Sequence, residues 1–149
     1  MSRSFDSGHT ERLSTTSAED TEALGARLAA ELEPGDLVLV EGEVGSGKTT
    51  LVRGAVHALG HRGRVTSPTF TLASRYEDGR VPVSHLDLYR LRDTGPDAED
   101  LALLEDELGD DRVVFVEWPE ALGAEGLEPA VRVVLRHGGG DRRQIEWHR

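Results

Sequence analysis

The sequence predicts an α/β fold: a mainly parallel sheet flanked by helices, with an antiparallel hairpin and added edge strands. Two observations carry this. "LVLVEG" from Leu37 and "RVVFVEW" from Arg112 are short, continuous apolar runs, the pattern of strands buried on both faces. Between them, Lys48 to Leu59 reads as a helix stopped by Gly60. A helix set between buried strands argues for crossover connections and a parallel core. A chain of 149 residues is one ordinary domain, so 1–149 is taken as a single unit.

The elements follow in chain order. Residues 1–12 are polar and expected to be loose. "ERLST" from Glu11 fits a short edge strand. Ser17 reads as an N-cap, with Asp20 three positions on, and Leu24, Leu28 and Leu32 recur at i+4, which predicts a helix over 18–32. "EPGD" breaks it. After the buried strand and the 48–59 helix come two extended runs, "TFTLASRYE" and "VPVSHLDLYRL", joined by the hairpin signal Asp78-Gly79. "DAEDLALLEDEL" predicts an acidic helix. "AVRVVLRHGGGDRRQIEWH" closes the sequence as two strands around a glycine turn.

Composition narrows the chemistry. Hydrophobic residues make up 37% of the chain and net charge is -11. Mean hydropathy is -0.42 and the pI is near 4.9. No apolar run approaches the roughly 20 residues that span a bilayer, and "MSRSFDSGHTERL" lacks an apolar signal-peptide centre. Without cysteine there is no disulfide, thiolate metal site or Cys nucleophile. These features point to a cytoplasmic protein. No basic stripe marks a nucleic-acid grip beyond short pairs such as Arg142 and Arg143; the surplus of acid reads first as a solvated surface, and otherwise as a sign that nucleotide or RNA work is local or done through a partner carrying the positive charge.

One lysine stands against sixteen arginines, at position 48. Gly42-x-x-x-x-Gly47-Lys48-Thr49 satisfies the phosphate-loop pattern between a buried strand and a helix. Glycines let successive N–H groups turn toward phosphate oxygens, helped by the positive end of the helix dipole. Lys48 supplies a compact charge where the planar Arg fork fits poorly. Thr49 offers a hydroxyl to Mg²⁺. A random match is expected in roughly one chain in a hundred or fewer.

A phosphate loop needs a second acid for the metal at the end of a neighbouring strand. Glu117 closes "VVFVEW" and fits, against the plainer reading of a charged strand end. Asp87 in "SHLDLYRL" is the other candidate: His85, Asp87 and Tyr89 share one strand face, Leu86 and Leu88 the other. That polar face either orients a water on the terminal phosphate or is a solvent-facing edge strand. Thr66 to Thr71 is either a nucleotide-sensing switch or a polar turn at Pro68. The six His lack ligand spacing, no G-x-S-x-G elbow is present, Trp118 reads as a packing residue before a base-stacking one, and Trp147 reads as structural.

Taken together, "EGEVGSGKTTLVRGAVHALG", "VTSPTFTL", "HLDLYRL" and "VEWPE" resemble the bacterial TsaE family, the small ATPases of tRNA threonylcarbamoyladenosine synthesis. The likeness runs from about Asp36 to Glu120. It implies a P-loop NTPase-like fold and Mg²⁺-dependent ATP hydrolysis in concert with TsaB and TsaD, with tRNA held mainly by those partners. It further implies that Gly45, Ser46, Gly47, Lys48, Thr49 and Thr50 hold the phosphates, that Thr49 and Glu117 hold Mg²⁺, and that Asp87 and Lys48 serve hydrolysis. Ser67 to Phe70 would act as the switch. Thr16 is the expected adenine contact, and Arg142 or Arg143, with Arg143 preferred, completes the nucleotide site. The alternatives are a small-molecule kinase, disfavoured because no Arg-rich insertion follows the phosphate loop, and a nucleotide-gated binding module with negligible hydrolysis.

Overall fold

The computed structural model describes residues 9–68, 71–123 and 127–149. Its elements are β1 (Thr10–Thr15), α1 (Ala18–Ala29), β2 (Leu37–Gly42), α2 (Lys48–Ala58), β3 (Ala73–Tyr76), β4 (Val83–Asp87), α3 (Ala98–Glu107), β5 (Val113–Glu117), β6 (Val131–His137) and β7 (Arg143–His148), with 3₁₀ turns at Tyr89–Leu91 and Pro119–Leu122. The strands form one sheet in the order β1-β7-β6-β2-β5-β4-β3. Its middle, β6, β2, β5 and β4, is parallel. Antiparallel strands finish both sides, β7 and β1 at one edge and β3 at the other.

The apolar runs explain the layering. Alternate residues of β2 and β5 go to opposite faces, and both faces are covered. Val38, Val40, Val113 and Phe115 meet α1 and α2, together with Leu135, Ile145 and Trp147. Leu39, Val114 and Val116 meet Leu104 of α3 and Leu86 and Leu88 beside it. The two helices on the first face cross at unusually close range. A Cβ on Gly25 would lie 2.1 Å from Leu51 O, and one on Gly54 would lie 2.0 Å from Glu22 O.

Local chemistry sets the element ends. The Ser17 hydroxyl accepts the Asp20 N–H at 3.1 Å and starts α1. α1 closes at Ala29 rather than at 32, because Glu31 and Leu32 donate to Leu28 and Ala29 in a tightened i−3 turn. Leu32 remains buried all the same. α3 opens with a reciprocal capping box between Asp97 and Asp100.

Three expectations are corrected. Residues 10–12 are not loose, since β1 pairs with β7 from Thr10↔His148 onward. The hairpin is not a two-residue turn: β3 ends at Tyr76 and β4 begins at Val83. Asp78 instead takes the Arg62 N–H and pairs with His61, while Gly79 packs against the end of α2, where a Cβ would lie 2.6 Å from Leu59 O. Finally, "LYRL" leaves the strand. The Asp87 carboxylate accepts the Tyr89 N–H at 3.0 Å and Leu91 donates to Leu88 O, which folds these residues into a 3₁₀ turn. β4 itself is an interior strand between β3 and β5, so the edge-strand reading of Asp87 is excluded. Among the described residues no helix is long and apolar enough to cross a membrane.

Candidate functional site

The parallel strands β2, β5 and β4 end side by side, and the loop after β2 leads into α2. Open α/β sheets bind ligands at this carboxyl edge. A cleft of about 450 Å³ lies there, lined by Val44, Gly45, Gly47, Lys48, Thr49, Thr50 and Arg143 on one side. Ser67, Asp87, Tyr89, Glu117 and Trp118 line the other.

The loop turns into α2 at Gly47, the N-cap, with φ 101°. That left-handed conformation suits glycine, and it leaves the first N–H groups of the helix free of a side-chain cap. Lys48 is mostly buried, and its Nζ donates to the carbonyls of Gly42 and Glu43 at 2.6 and 2.7 Å. The same ammonium stands 4.5 Å from the Trp118 ring centroid. Burial lowers the Lys48 pKa, and the negative charges of Glu117, Asp87, Glu120 and Glu43 oppose that shift.

Register brings the two acids together. Asp87 and Glu117 are direct partners across β4 and β5, at the ends of both strands. The Thr49 hydroxyl lies 3.0 and 3.1 Å from the two Glu117 oxygens and 2.7 Å from Ser67 Oγ. A hydroxyl and a carboxylate beside a phosphate loop are hard oxygen donors of the kind Mg²⁺ takes, with phosphate oxygens and water completing its shell. The residues present therefore fit that ion. Among the described residues no group of three or more His, Asp or Glu is arranged to hold a metal. Asp87 is half-buried, and burial raises its pKa. The Tyr89 N–H, Ser67 hydroxyl and His85 act against that rise, while Glu117 adds to it.

The expected residues separate on inspection. Gly45, Gly47, Lys48, Thr49, Thr50, Asp87, Glu117 and Arg143 line the cleft. Arg143 is held there by three carbonyls, Gly140 at 2.7 Å, Arg142 at 2.8 Å and Gly45 at 3.2 Å; Arg142 does not line it. Ser46 has its side chain fully buried behind the loop. Thr16 lies outside the lining, its hydroxyl bonded to Asp20 at 2.7 Å. The start of α1 still abuts the loop, since a Cβ on Gly47 would lie 3.8 Å from Thr21. Of the expected switch, Thr69 and Phe70 lie outside the described residues.

Trp118 packs against the core cluster of Leu39, Leu86 and Val116, as expected, and it also faces the cleft. Its ring lines the cleft, packs edge-on to Tyr89 at 5.1 Å and faces Lys48. Its φ of 59° makes it the only non-glycine residue with positive φ among those described. A residue before proline favours extended backbone, so no local signal announces this geometry. Trp147 is wholly buried in the core, as expected of a packing residue.

A phosphate loop facing two strand-end acids invites comparison with known proteins. The family model described as "Threonylcarbamoyl adenosine biosynthesis protein TsaE" matches residues 15–145. The chain belongs to the TsaE family. The "tRNA threonylcarbamoyladenosine biosynthesis protein TsaE" of Bacillus subtilis is 37% identical over 131 residues, covering 88% of this chain and 80% of that protein. The Streptomyces coelicolor protein of the same description is 46% identical over 121 residues, covering 79% of this chain and 80% of its own length. The crystal structure of YdiB from Bacillus subtilis superimposes with a TM-score of 0.73 at 30% identity, over 96% of this chain and 87% of that one. TsaE membership thus agrees with the P-loop-like α/β fold and with the cleft at its carboxyl edge.

Proposed function

We propose that this TsaE-family chain is a Mg²⁺-dependent ATP hydrolase of tRNA threonylcarbamoyladenosine synthesis, working with TsaB and TsaD. Family membership supports the pathway. The observation that carries the chemistry is the convergence of Lys48, Thr49, Asp87 and Glu117 on one cleft. ATP is the substrate, its β- and γ-phosphates resting on the 42–49 loop and its γ-phosphate directed at the two acids.

The chain's own groups divide the work. Backbone N–H groups at the start of α2 and the Lys48 ammonium neutralise the phosphates. Lys48 must exchange its bonds to the Gly42 and Glu43 carbonyls for phosphate oxygens, a short swing on a flexible stem. Thr49 and Glu117 would hold Mg²⁺, which would supply positive charge against the negative charge that develops on the phosphates. Asp87 orients the attacking water, with its carboxylate fixed by the Tyr89 N–H at 3.0 Å. Arg143 contacts the nucleotide from β7, and Thr16, just before α1, is assigned to the adenine. The partners carry most of the tRNA contact.

ATP hydrolysis measured with purified TsaB and TsaD, together with calorimetric ATP binding, tests this reading. Wild-type chain should hydrolyse ATP only with Mg²⁺, and Lys48→Ala should lose tight binding. Near-wild-type affinity in Lys48→Ala would overturn the phosphate-loop assignment.

A further inference from the structure

His85 is fully buried in the middle of β4, and its Nε2 lies 2.5 Å from Glu117 Oε2. Its Nδ1 is buried without a hydrogen-bond partner among the described residues. A buried histidine in a structural role usually satisfies both ring nitrogens. Among the described residues the ring's one hydrogen bond goes to a carboxylate, the same one that meets the Thr49 hydroxyl.

We infer that His85 is a positioning residue for Glu117, holding that carboxylate in the orientation that receives Mg²⁺; this rests on the metal reading above. The geometry explains the need. Glu117 closes β5 and is 2% exposed, so solvent offers its oxygens little support. Nε2–H donates to Oε2 from the neighbouring strand, and Thr49 donates from the head of α2. The two donors clamp the carboxyl plane from two elements. Partners that orient a ligating carboxylate typically govern 10- to 100-fold of metal affinity or activity.

Two substitutions separate positioning from packing. His85→Gln places an amide N–H near the Nε2 position, whereas His85→Asn stops short of Glu117. Calorimetry then gives ADP affinity in Mg²⁺ and in EDTA for wild type and both variants, with thermal melts reporting the fold. The Mg²⁺-dependent gain in affinity should fall about tenfold in His85→Asn and stay within about threefold of wild type in His85→Gln. Affinity in EDTA should be unchanged in both. An unmoved Mg²⁺ gain in His85→Asn overturns the inference, as do equal losses in the two variants, which mark a packing role. A wild-type chain lacking any Mg²⁺ gain overturns the metal reading and the inference together, a result recognisable from the wild-type arm alone.

Discussion

Asp87, proposed above to orient the attacking water, also carries a consequence for stability. Burial raises its pKa, so the folded site binds a proton more readily than the unfolded chain does. The sign follows. Above the raised value the ionised group opposes folding, and below the unfolded value of about 4 both states are protonated and the effect vanishes. Asp87→Asn should therefore melt higher than wild type at neutral pH, with the difference closing as pH falls toward 4. Its turnover with TsaB and TsaD should drop about a hundredfold, roughly 3 kcal/mol, while ATP affinity changes only a few-fold. Wild-type turnover in Asp87→Asn would remove Asp87 from the reaction. Glu117→Ala should abolish the Mg²⁺ dependence of nucleotide affinity, and an undiminished Mg²⁺ effect would reduce Glu117 to a strand-end acid. The sequence made both acids visible as polar residues beside apolar runs. It hid Trp118, because a left-handed residue before proline contradicts the local preference.

At the scale of elements, the pairing of α1 with α2 depends on two glycines whose role no periodicity reveals. Intrinsic propensity favours alanine over glycine inside a helix by about 1 kcal/mol. Contact geometry points the other way. A methyl at Gly54 would lie 2.0 Å from Glu22 O and 2.6 Å from its Cα, backbone atoms that cannot swing aside. Overpacking of this kind costs about 1–3 kcal/mol or more, so it wins. Gly54→Ala should lower the melting temperature by several degrees, at about 2–4 °C per kcal/mol for a chain of this size. An unchanged or raised melting temperature would show that the helices simply separate. The strands were readable because "LVLV" and "VVFV" have one interpretation once both faces are covered. The 3₁₀ turn at Tyr89–Leu91 was not, because Leu88 and Tyr89 still continue the alternation of β4 while the backbone turns to follow the Asp87 carboxylate.

Across the whole molecule, strand order is what composition could not supply. Asp87 and Glu117 are 30 residues apart, and only the placement of β4 beside β5 makes them neighbours. Charge distribution, by contrast, was readable, and it has a consequence for RNA. Counterion release from phosphate contacts supplies most non-specific affinity and requires cations free to make them. The chain carries a net charge of -11. On the sheet face across β1, β7, β6 and β2, Arg12 bonds Glu146 at 3.1 Å, Arg132 bonds Glu41 at 3.0 Å and Arg136 lies 3.8 Å from Glu146. Each arginine would have to leave an acid before meeting a phosphate, and long-range repulsion opposes the approach. Filter binding with the isolated chain should therefore show no tRNA retention at physiological salt, even at tens of micromolar protein, where ordinary non-specific binders with dissociation constants of about 10⁻⁶ to 10⁻⁴ M begin to register. Lowering the salt should restore little, because the deficit lies in net charge rather than screening. Retention at physiological salt, weakened by Arg132→Glu, would show instead that this arginine row holds RNA directly and that the partners share the tRNA contact with this chain.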